Sequence, residues 1–183
     1  YIPLAILASR ITLIIPQPIA ALMARGAAVI WDRIRVEWIG LMESLPSATT
    51  IVCTYNRASL LREALASLLA QDYPATREII VVDNNSVDET PEVVQSLATT
   101  SNVPLLYATE RQQGLSHARN RGVGLARGDL LTFIDDDASA DRCWLRALAT
   151  AHTRYDADVV GGPVVLSWRC PRPHWWTAEL DGF

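Results

Sequence analysis

The chain has 183 residues, of which half are apolar, so it is long enough to bury a sizeable core and does not belong to the intrinsically disordered class. Its formal net charge of -4 comes without any cluster of basic residues, which argues against nucleic acid or an anionic membrane surface as the main partner. A small ligand is the expected partner.

The cysteines and histidines predict no metal centre and no disulfide framework. Cys53, Cys143 and Cys170 are widely spaced and odd in number, which favours a reducing compartment and lacks the Cys-x-x-Cys spacing of a metal site. The three histidines likewise lack the spacing of paired ligands.

Residues 1–45 form an apolar N-terminal extension that precedes the main domain at residues 46–183. Three prolines and Arg10 interrupt its apolar run, which argues against a membrane-spanning helix, and it lacks the pattern of a secretory signal. Two alternatives stay open: it packs against the domain or a membrane face, or it belongs to no native fold. Residues 27–45 carry apolar side chains at helical spacing and predict an amphipathic helix. Because the chain starts at Tyr1 and stops at Phe183 without a tail, we expect it to be a piece of a longer protein.

From residue 46 onward, strand-like and helix-like segments alternate. The predicted strands cover residues 49–55, 78–83, 105–108, 130–135 and 159–166, and the predicted helices cover residues 58–71, 90–97, 115–126 and a segment that Asp141 caps and that runs to about residue 151. This alternation requires crossover connections, which produce a mostly parallel sheet covered on both faces. The predicted fold class is therefore α/β, a three-layer α/β/α sandwich.

Polar side chains follow three of the predicted strands. Tyr55, Asn56 and Arg57 end the first strand, the run DNNS at residues 83–86 ends the second, and the triplet DDD at residues 135–137 ends the fourth. Because open parallel sheets bind ligands at the carboxyl ends of their strands, we expect these groups to share one edge.

Three adjacent carboxylates repel one another unless positive charge lies among them, and a divalent cation is the simplest source. Oxygen ligands favour Mg²⁺ or Mn²⁺, which are commonly held by one or two carboxylates together with phosphate oxygens of a substrate. The alternative is that Asp135, Asp136, Asp137 and Asp83 are solvated loop residues.

The sequence contains no dinucleotide fingerprint and no P-loop, so a phosphate-bearing ligand would be held by metal and side chains. No nucleophile elbow of the α/β-hydrolases occurs either.

Three blocks of the sequence together resemble the family 2 glycosyltransferases, which have the Rossmann-like GT-A fold. They are TIVCTYNRASLLREALASLLAQ, EIIVVDNNSVDET and RQQGLSHARNRGVGLARGDLLTFIDDDA, and the resemblance covers residues 47–173. It implies transfer of a sugar, with inversion, from a nucleoside-diphosphate sugar, with a UDP-sugar favoured and Mg²⁺ or Mn²⁺ as cofactor. The implied acceptor is a carbohydrate or a lipid-linked sugar, as in polysaccharide biosynthesis. The implied location is cytoplasmic, with peripheral association at the inner face of the membrane as a further expectation.

The resemblance also implies roles for individual residues. Thr54, Tyr55 and Arg57 would line the nucleotide, and Asp83 would bind the base, with Asn85 beside it. Of the triplet, Asp135 would lie near the ribose and the metal, Asp137 would coordinate the metal, and Asp136 would take the variable middle place of an Asp-x-Asp motif beside the donor. Arg119, with Asn120, matches residues of the donor pocket and fits an ordinary polar helix surface equally well.

The chain departs from the family pattern near its C-terminus. The expected general base belongs to a Glu-Asp type motif, and Glu179 and Asp181 lie in a context that does not resemble it. We therefore expect residues 46–183 to be the donor half of a truncated glycosyltransferase domain, which is inactive alone. A non-catalytic nucleotide-sugar-binding remnant is the alternative. A nucleotidyltransferase of related topology is disfavoured, because the chain lacks a glycine-rich phosphate loop and any lysine.

Overall fold

The structure is a computed structural model that describes residues 45–171 and 173–176. Apart from Leu45, the N-terminal extension and its predicted helix lie outside the described residues, and so do Glu179 and Asp181. Within the described ranges, no helix has both the length and the apolar character needed to cross a membrane.

Strands and helices alternate along the described chain. Their order is β1 (Ala48–Thr54), α1 (Ala58–Leu69), β2 (Arg77–Asp83), α2 (Thr90–Thr100), β3 (Leu105–Thr109), α3 (Leu115–Leu125), β4 (Leu130–Asp135) and α4 (Trp144–Tyr155). The strands form a sheet in the order β3-β2-β1-β4, with every neighbouring pair parallel. The predicted α/β fold class with a parallel sheet is confirmed.

The two central strands carry the core on both faces. On one face, Val52 and Val81 pack with Leu61 and Leu65 of α1. On the other face, residues of β1 and β2 pack against α3, and this cluster comprises Ile51, Ile80, Val82 and Ala118. A strand that is buried on both faces needs an almost continuous run of apolar residues. The apolar run of β2 therefore fits its central position in the sheet.

Helix α3 lies unusually close to β1 at Gly122. A Cβ atom built at Gly122 would lie 2.5 Å from Cγ2 of Ile51, well inside contact distance. Glycine is therefore required here by space, because any side chain would push α3 away from the sheet. This close approach sets the position of α3, whose first turn borders the site described below.

Two expectations from the sequence were wrong. Residues 159–166 form no strand: Val159 is 89% exposed and Val165 is 82% exposed. A strand needs a neighbour to take its backbone hydrogen bonds, and Pro163 within this run lacks an amide hydrogen. The fourth helix begins at Trp144 with Cys143, rather than Asp141, as its N-cap, because Asp141 lies in a preceding turn in which its Oδ1 accepts from the amide of Cys143 at 2.8 Å.

Candidate functional site

The carboxyl ends of the central strands meet at one edge of the sheet. In the parallel register Thr54 pairs with Asp83, and Cys53 pairs with Asp135. The three polar strand ends predicted from the sequence therefore lie side by side. We call this edge the rim and define it as residues 54–57, 83–86 and 135–137.

Two loops of the rim are joined to each other. The amide of Asn56 donates to Oγ of Ser86 at 2.9 Å, the amide of Val87 donates to Oδ1 of Asn56 at 2.8 Å, and the amide of Ala58 donates to Oδ2 of Asp88 at 2.9 Å. Asn56 has a φ of 53°, a left-handed conformation that asparagine tolerates better than most residues. The loops after β1 and β2 thus form a single frame.

Asp136 is the buried member of the acidic triplet and contacts two residues at or just after the end of β1. It is only 6% exposed, and its Oδ2 accepts a hydrogen bond of 2.7 Å from Oγ1 of the buried Thr54. Its Oδ1 lies 3.3 Å from Nη1 of Arg57. A buried carboxylate needs such partners, so Asp136 connects β4 to the end of β1.

The other two members of the triplet face solvent and arginines. The same Nη1 of Arg57 lies 3.1 Å from Oδ2 of Asp137, and Nη2 of Arg119 on α3 lies 3.5 Å from Oδ1 of Asp135. Their side chains are exposed, 52% for Asp137 and 70% for Asp135. Positive charge among the carboxylates, which the sequence pattern attributed to a divalent cation, is thus already supplied by two guanidinium groups.

The donor atoms at the rim fit a metal that is completed by its substrate rather than a closed metal cage. Across the described ranges, no three His, Cys, Asp or Glu side chains converge on a common point. Asp135 and Asp137 still offer exposed carboxylate oxygens, and Mg²⁺ or Mn²⁺ often takes one or two of these with phosphate oxygens and water. These two residues are the ones that would hold such a cation, with a bound diphosphate supplying further ligands.

Asp83 is a buried residue of the rim. It is 2% exposed, its Oδ1 accepts from the amide of Ser86 at 2.8 Å, and its Oδ2 accepts from the hydroxyl of Tyr107 on β3 at 2.5 Å. Burial and this bond to Asp83 raise the pKa of Tyr107, so its hydroxyl stays protonated and donates at neutral pH. The side chain of Asp83 is therefore held rigidly at the end of β2, by the loop that follows β2 and by β3.

A cleft of about 280 Å³ opens at the rim, between the end of β1 and the first turn of α3. Its walls are formed by Cys53, Thr54, Tyr55, Arg57, Asn84, Gln113, Gly114, Leu115, Ala118 and Asp136. Four residues predicted to bind the donor meet here: Thr54, Tyr55, Arg57 and Asp136. The remaining predicted residues, Asp83, Asn85, Arg119, Asp135 and Asp137, are outside its walls.

Asn84 shapes the cleft in a way that the sequence pattern did not reveal. Its Nδ2 donates to the carbonyl oxygens of Glu110 and Gln112 at 2.9 and 2.8 Å, and its Oδ1 accepts from the amide of Gly114 at 2.7 Å. Gly114 has a φ of 137°, a conformation that favours glycine. Asn84 thus holds the segment before α3 against the cleft. The only sequence signal for this role was an asparagine directly after a predicted strand.

Cys53 is a cleft residue without the chemistry of a reactive thiol. Burial, reinforced by the nearby carboxylates of Asp135 and Asp136 and opposed by Arg119, raises its pKa to about 11. At neutral pH the thiol therefore stays protonated, and the thiolate needed for nucleophilic attack or metal binding is scarce. Cys53 serves as a wall of the cleft.

The sequence matches the family profile of Glycosyl transferase family 2 over residues 49–179, which is most of the chain. The chain belongs to this family. The match runs through the three strands that build the rim and both loops of the frame.

Family 2 relatives with assigned activities resemble the chain at about one-third identity. The glucosyl-dolichyl phosphate glucuronosyltransferase of Haloferax volcanii is 34% identical over 135 residues, which cover 72% of this chain and 42% of that protein. The GalNAc(5)-diNAcBac-PP-undecaprenol beta-1,3-glucosyltransferase of Campylobacter jejuni is 38% identical over 94 residues, covering 51% and 30% respectively. The chain spans less than half the length of these relatives.

Solved glycosyltransferase structures share the fold. The mannosyltransferase PcManGT from Pyrobaculum calidifontis, solved with GDP-Man and Mn²⁺, gives a TM-score of 0.57 at 32% identity and covers 82% of this chain and 46% of that one. TarS of S. aureus in complex with UDP-GlcNAc gives a TM-score of 0.53 at 28% identity, covering 61% and 32%. The fold is therefore that of the GT-A glycosyltransferases.

Proposed function

We propose that the protein is an inverting, metal-dependent glycosyltransferase that transfers a sugar from a nucleoside-diphosphate sugar to an acceptor hydroxyl, and that residues 46–183 form its donor-binding half. The observation that carries this proposal is the anchored triplet, in which Thr54 and Arg57 hold Asp136 at the floor of the cleft. Beside it, Asp135 and Asp137 have exposed carboxylates that would turn from Arg119 and Arg57 toward a bound ligand.

The cleft suits the nucleoside part of the donor. Its volume of about 280 Å³ lies just below the range of roughly 300–1,000 Å³ for small-molecule sites, so it fits a nucleoside better than a whole nucleotide sugar. Tyr55, which is 48% exposed, offers an aromatic ring at the wall for a base to stack on. The sugar would then lie beyond the cleft, over the exposed side of the rim.

The divalent cation supports the chemistry at the departing diphosphate. Cleavage of the sugar-phosphate bond places negative charge on the leaving group, and a Mg²⁺ or Mn²⁺ ion stabilises that charge as a Lewis acid. Asp137, with Asp135, would hold the ion, while Arg57 would add a guanidinium donor to the phosphates. The Mn²⁺ of the mannosyltransferase from Pyrobaculum calidifontis supports this part of the proposal.

The base would be bound next to the frame that joins β1 and β2. We retain Asp83 and Asn85 as candidates for this contact, and Arg119 as a candidate for the sugar side. The rigid setting of Asp83 between Ser86 and Tyr107 suits a carboxylate that accepts from an N–H of the base, as uracil provides. Such a contact requires the rim to open slightly, because Asp83 is buried in the structure.

The acceptor is proposed to be a carbohydrate or a lipid-linked sugar at the inner face of the membrane. Support comes from the two relatives that act on dolichyl phosphate and undecaprenol substrates by name. The second candidate function is a remnant that binds nucleotide sugars without transferring them. We expect residues 1–183 alone to transfer little or no sugar, and robust turnover with an added acceptor would contradict this.

Calorimetric titration with UDP and UMP tests the donor site. We expect the protein to bind UDP in the presence of Mn²⁺ at least about tenfold more tightly than UMP, because the diphosphate offers a second phosphate group to a cation that Asp137 would hold. Asp137→Ala should abolish this preference, whereas Asp158→Ala, which removes an exposed charge beyond α4, should keep it. Equal affinities of the wild-type protein for UDP and UMP would count against the proposal.

A further inference from the structure

Arg57 has two carboxylate partners with very different environments. Its Nη1 lies 3.3 Å from Oδ1 of Asp136, which is buried, and 3.1 Å from Oδ2 of Asp137, whose side chain is half exposed. The first partner is fixed because Thr54 donates to its other oxygen at 2.7 Å. The second partner is one of the residues that would hold the cation. Arg57 thus touches both the fixed floor of the cleft and the proposed metal ligand.

We propose that Arg57 occupies the metal ligand Asp137 until a cation and a nucleoside diphosphate arrive together, so that it couples the binding of the two. This inference rests on the proposed function of the rim. An arginine cannot lose its charge under physiological conditions, so it competes with any cation for the Asp137 carboxylate. Metal binding without nucleotide is weakened as a result.

The contact with Asp136 determines where the Arg57 guanidinium lies after it leaves Asp137. Asp136 remains in place at the end of β4, because its Oδ2 is held by the buried hydroxyl of Thr54. The guanidinium therefore keeps its contact with Asp136 and stays at the wall of the cleft, where its side chain is 51% exposed. It can then offer its remaining N–H groups to the diphosphate, for which a guanidinium is well suited.

The coupling predicts that one variant, Arg57→Ala, binds Mn²⁺ more tightly and UDP more weakly than the wild-type protein. Without nucleotide, Arg57→Ala should bind Mn²⁺ about threefold more tightly than the wild-type protein, because a half-exposed ion pair competes only modestly. With saturating Mn²⁺, the same variant should bind UDP about tenfold more weakly, because a charge-assisted contact to the phosphates is lost. A residue that merely stabilised the rim would weaken both ligands.

The experiment measures Mn²⁺ binding by electron paramagnetic resonance and UDP binding by calorimetry. The matched control is Arg127→Ala, which removes the same charge before the start of β4, at the opposite end of that strand from the triplet. It should leave both affinities unchanged. Circular dichroism melting checks the fold, and Arg57→Gln provides a second variant that keeps a polar side chain of similar length.

The possible results distinguish a failure of the coupling from a failure of the proposed function. Tighter Mn²⁺ binding together with weaker UDP binding in both Arg57 variants supports the coupling. Unchanged or weaker Mn²⁺ binding in either folded variant, while the wild-type protein still binds UDP with Mn²⁺, overturns the coupling and leaves the donor site intact. Failure of the wild-type protein to bind UDP with Mn²⁺ overturns both.

Discussion

Asp136 is the aspartate of the triplet that contributes most to the rim's architecture, although its neighbours Asp135 and Asp137 are the ones exposed to solvent. Its burial, at 6% exposure, and its bond to Thr54 make it a structural connection between β4 and β1. The middle aspartate of the triplet is thus a structural residue in this protein, and the exposed Asp135 and Asp137 are its direct neighbours in the chain.

Replacement of Thr54 tests this anchor. Thr54→Val keeps the shape of the side chain but leaves one oxygen of a buried carboxylate without its donor, so the free energy of unfolding should fall by about 1–3 kcal/mol. Thr54→Ser retains the hydroxyl and should lose less. Urea denaturation measures both, and equal stability of Thr54→Val and the wild-type protein would show that the bond does not anchor Asp136.

At the scale of elements, the position of α3 depends on its closeness to β1. The first turn of α3 forms one wall of the cleft, through Gly114, Leu115 and Ala118, and the helix rests on Ile51 at Gly122. The segment before α3 is fixed separately by Asn84. The packing of one glycine and the hydrogen bonds of one asparagine therefore set the width of the cleft.

Two glycines of the same helix provide a matched test. Gly122→Ala places a methyl group 2.5 Å from Ile51 and should destabilise the protein by about 1–3 kcal/mol, the usual cost of overpacking a core. Gly124→Ala meets no atom within 4 Å and should be neutral or stabilising by up to about 1 kcal/mol, because alanine favours helices. Thermal unfolding of the two variants gives the comparison. If Gly122→Ala proved as stable as Gly124→Ala, the close packing of α3 would be disproved.

Across the described residues as a whole, three polar strand ends meet at one edge of a parallel sheet. Three apolar strand segments followed by polar groups were sufficient to predict that edge, because parallel strands between helices place all their carboxyl ends together. The register that pairs Thr54 with Asp83 and Cys53 with Asp135 bears this out.

The rest could not be predicted from the sequence, because it depends on which residues meet in space. Residues 159–166 have the composition of a strand, but a strand forms only beside a partner. Arg57 and Asp136 are 79 positions apart, and no local pattern indicates their contact. The sequence pattern attributed the positive charge among the carboxylates to a divalent cation, which stays a prediction, whereas the contacts of Arg57 and Arg119 with the triplet emerged only from the fold.

We propose that the rim binds a nucleoside diphosphate through a divalent cation at the triplet. Crystals grown with UDP and Mn²⁺, measured at the manganese absorption edge, locate the ion directly. We expect an anomalous peak within coordination distance of a carboxylate oxygen of Asp137 and of the diphosphate, with the nucleoside in the cleft beside Tyr55. UDP bound elsewhere, or manganese without contact to Asp135 or Asp137, would contradict this proposal.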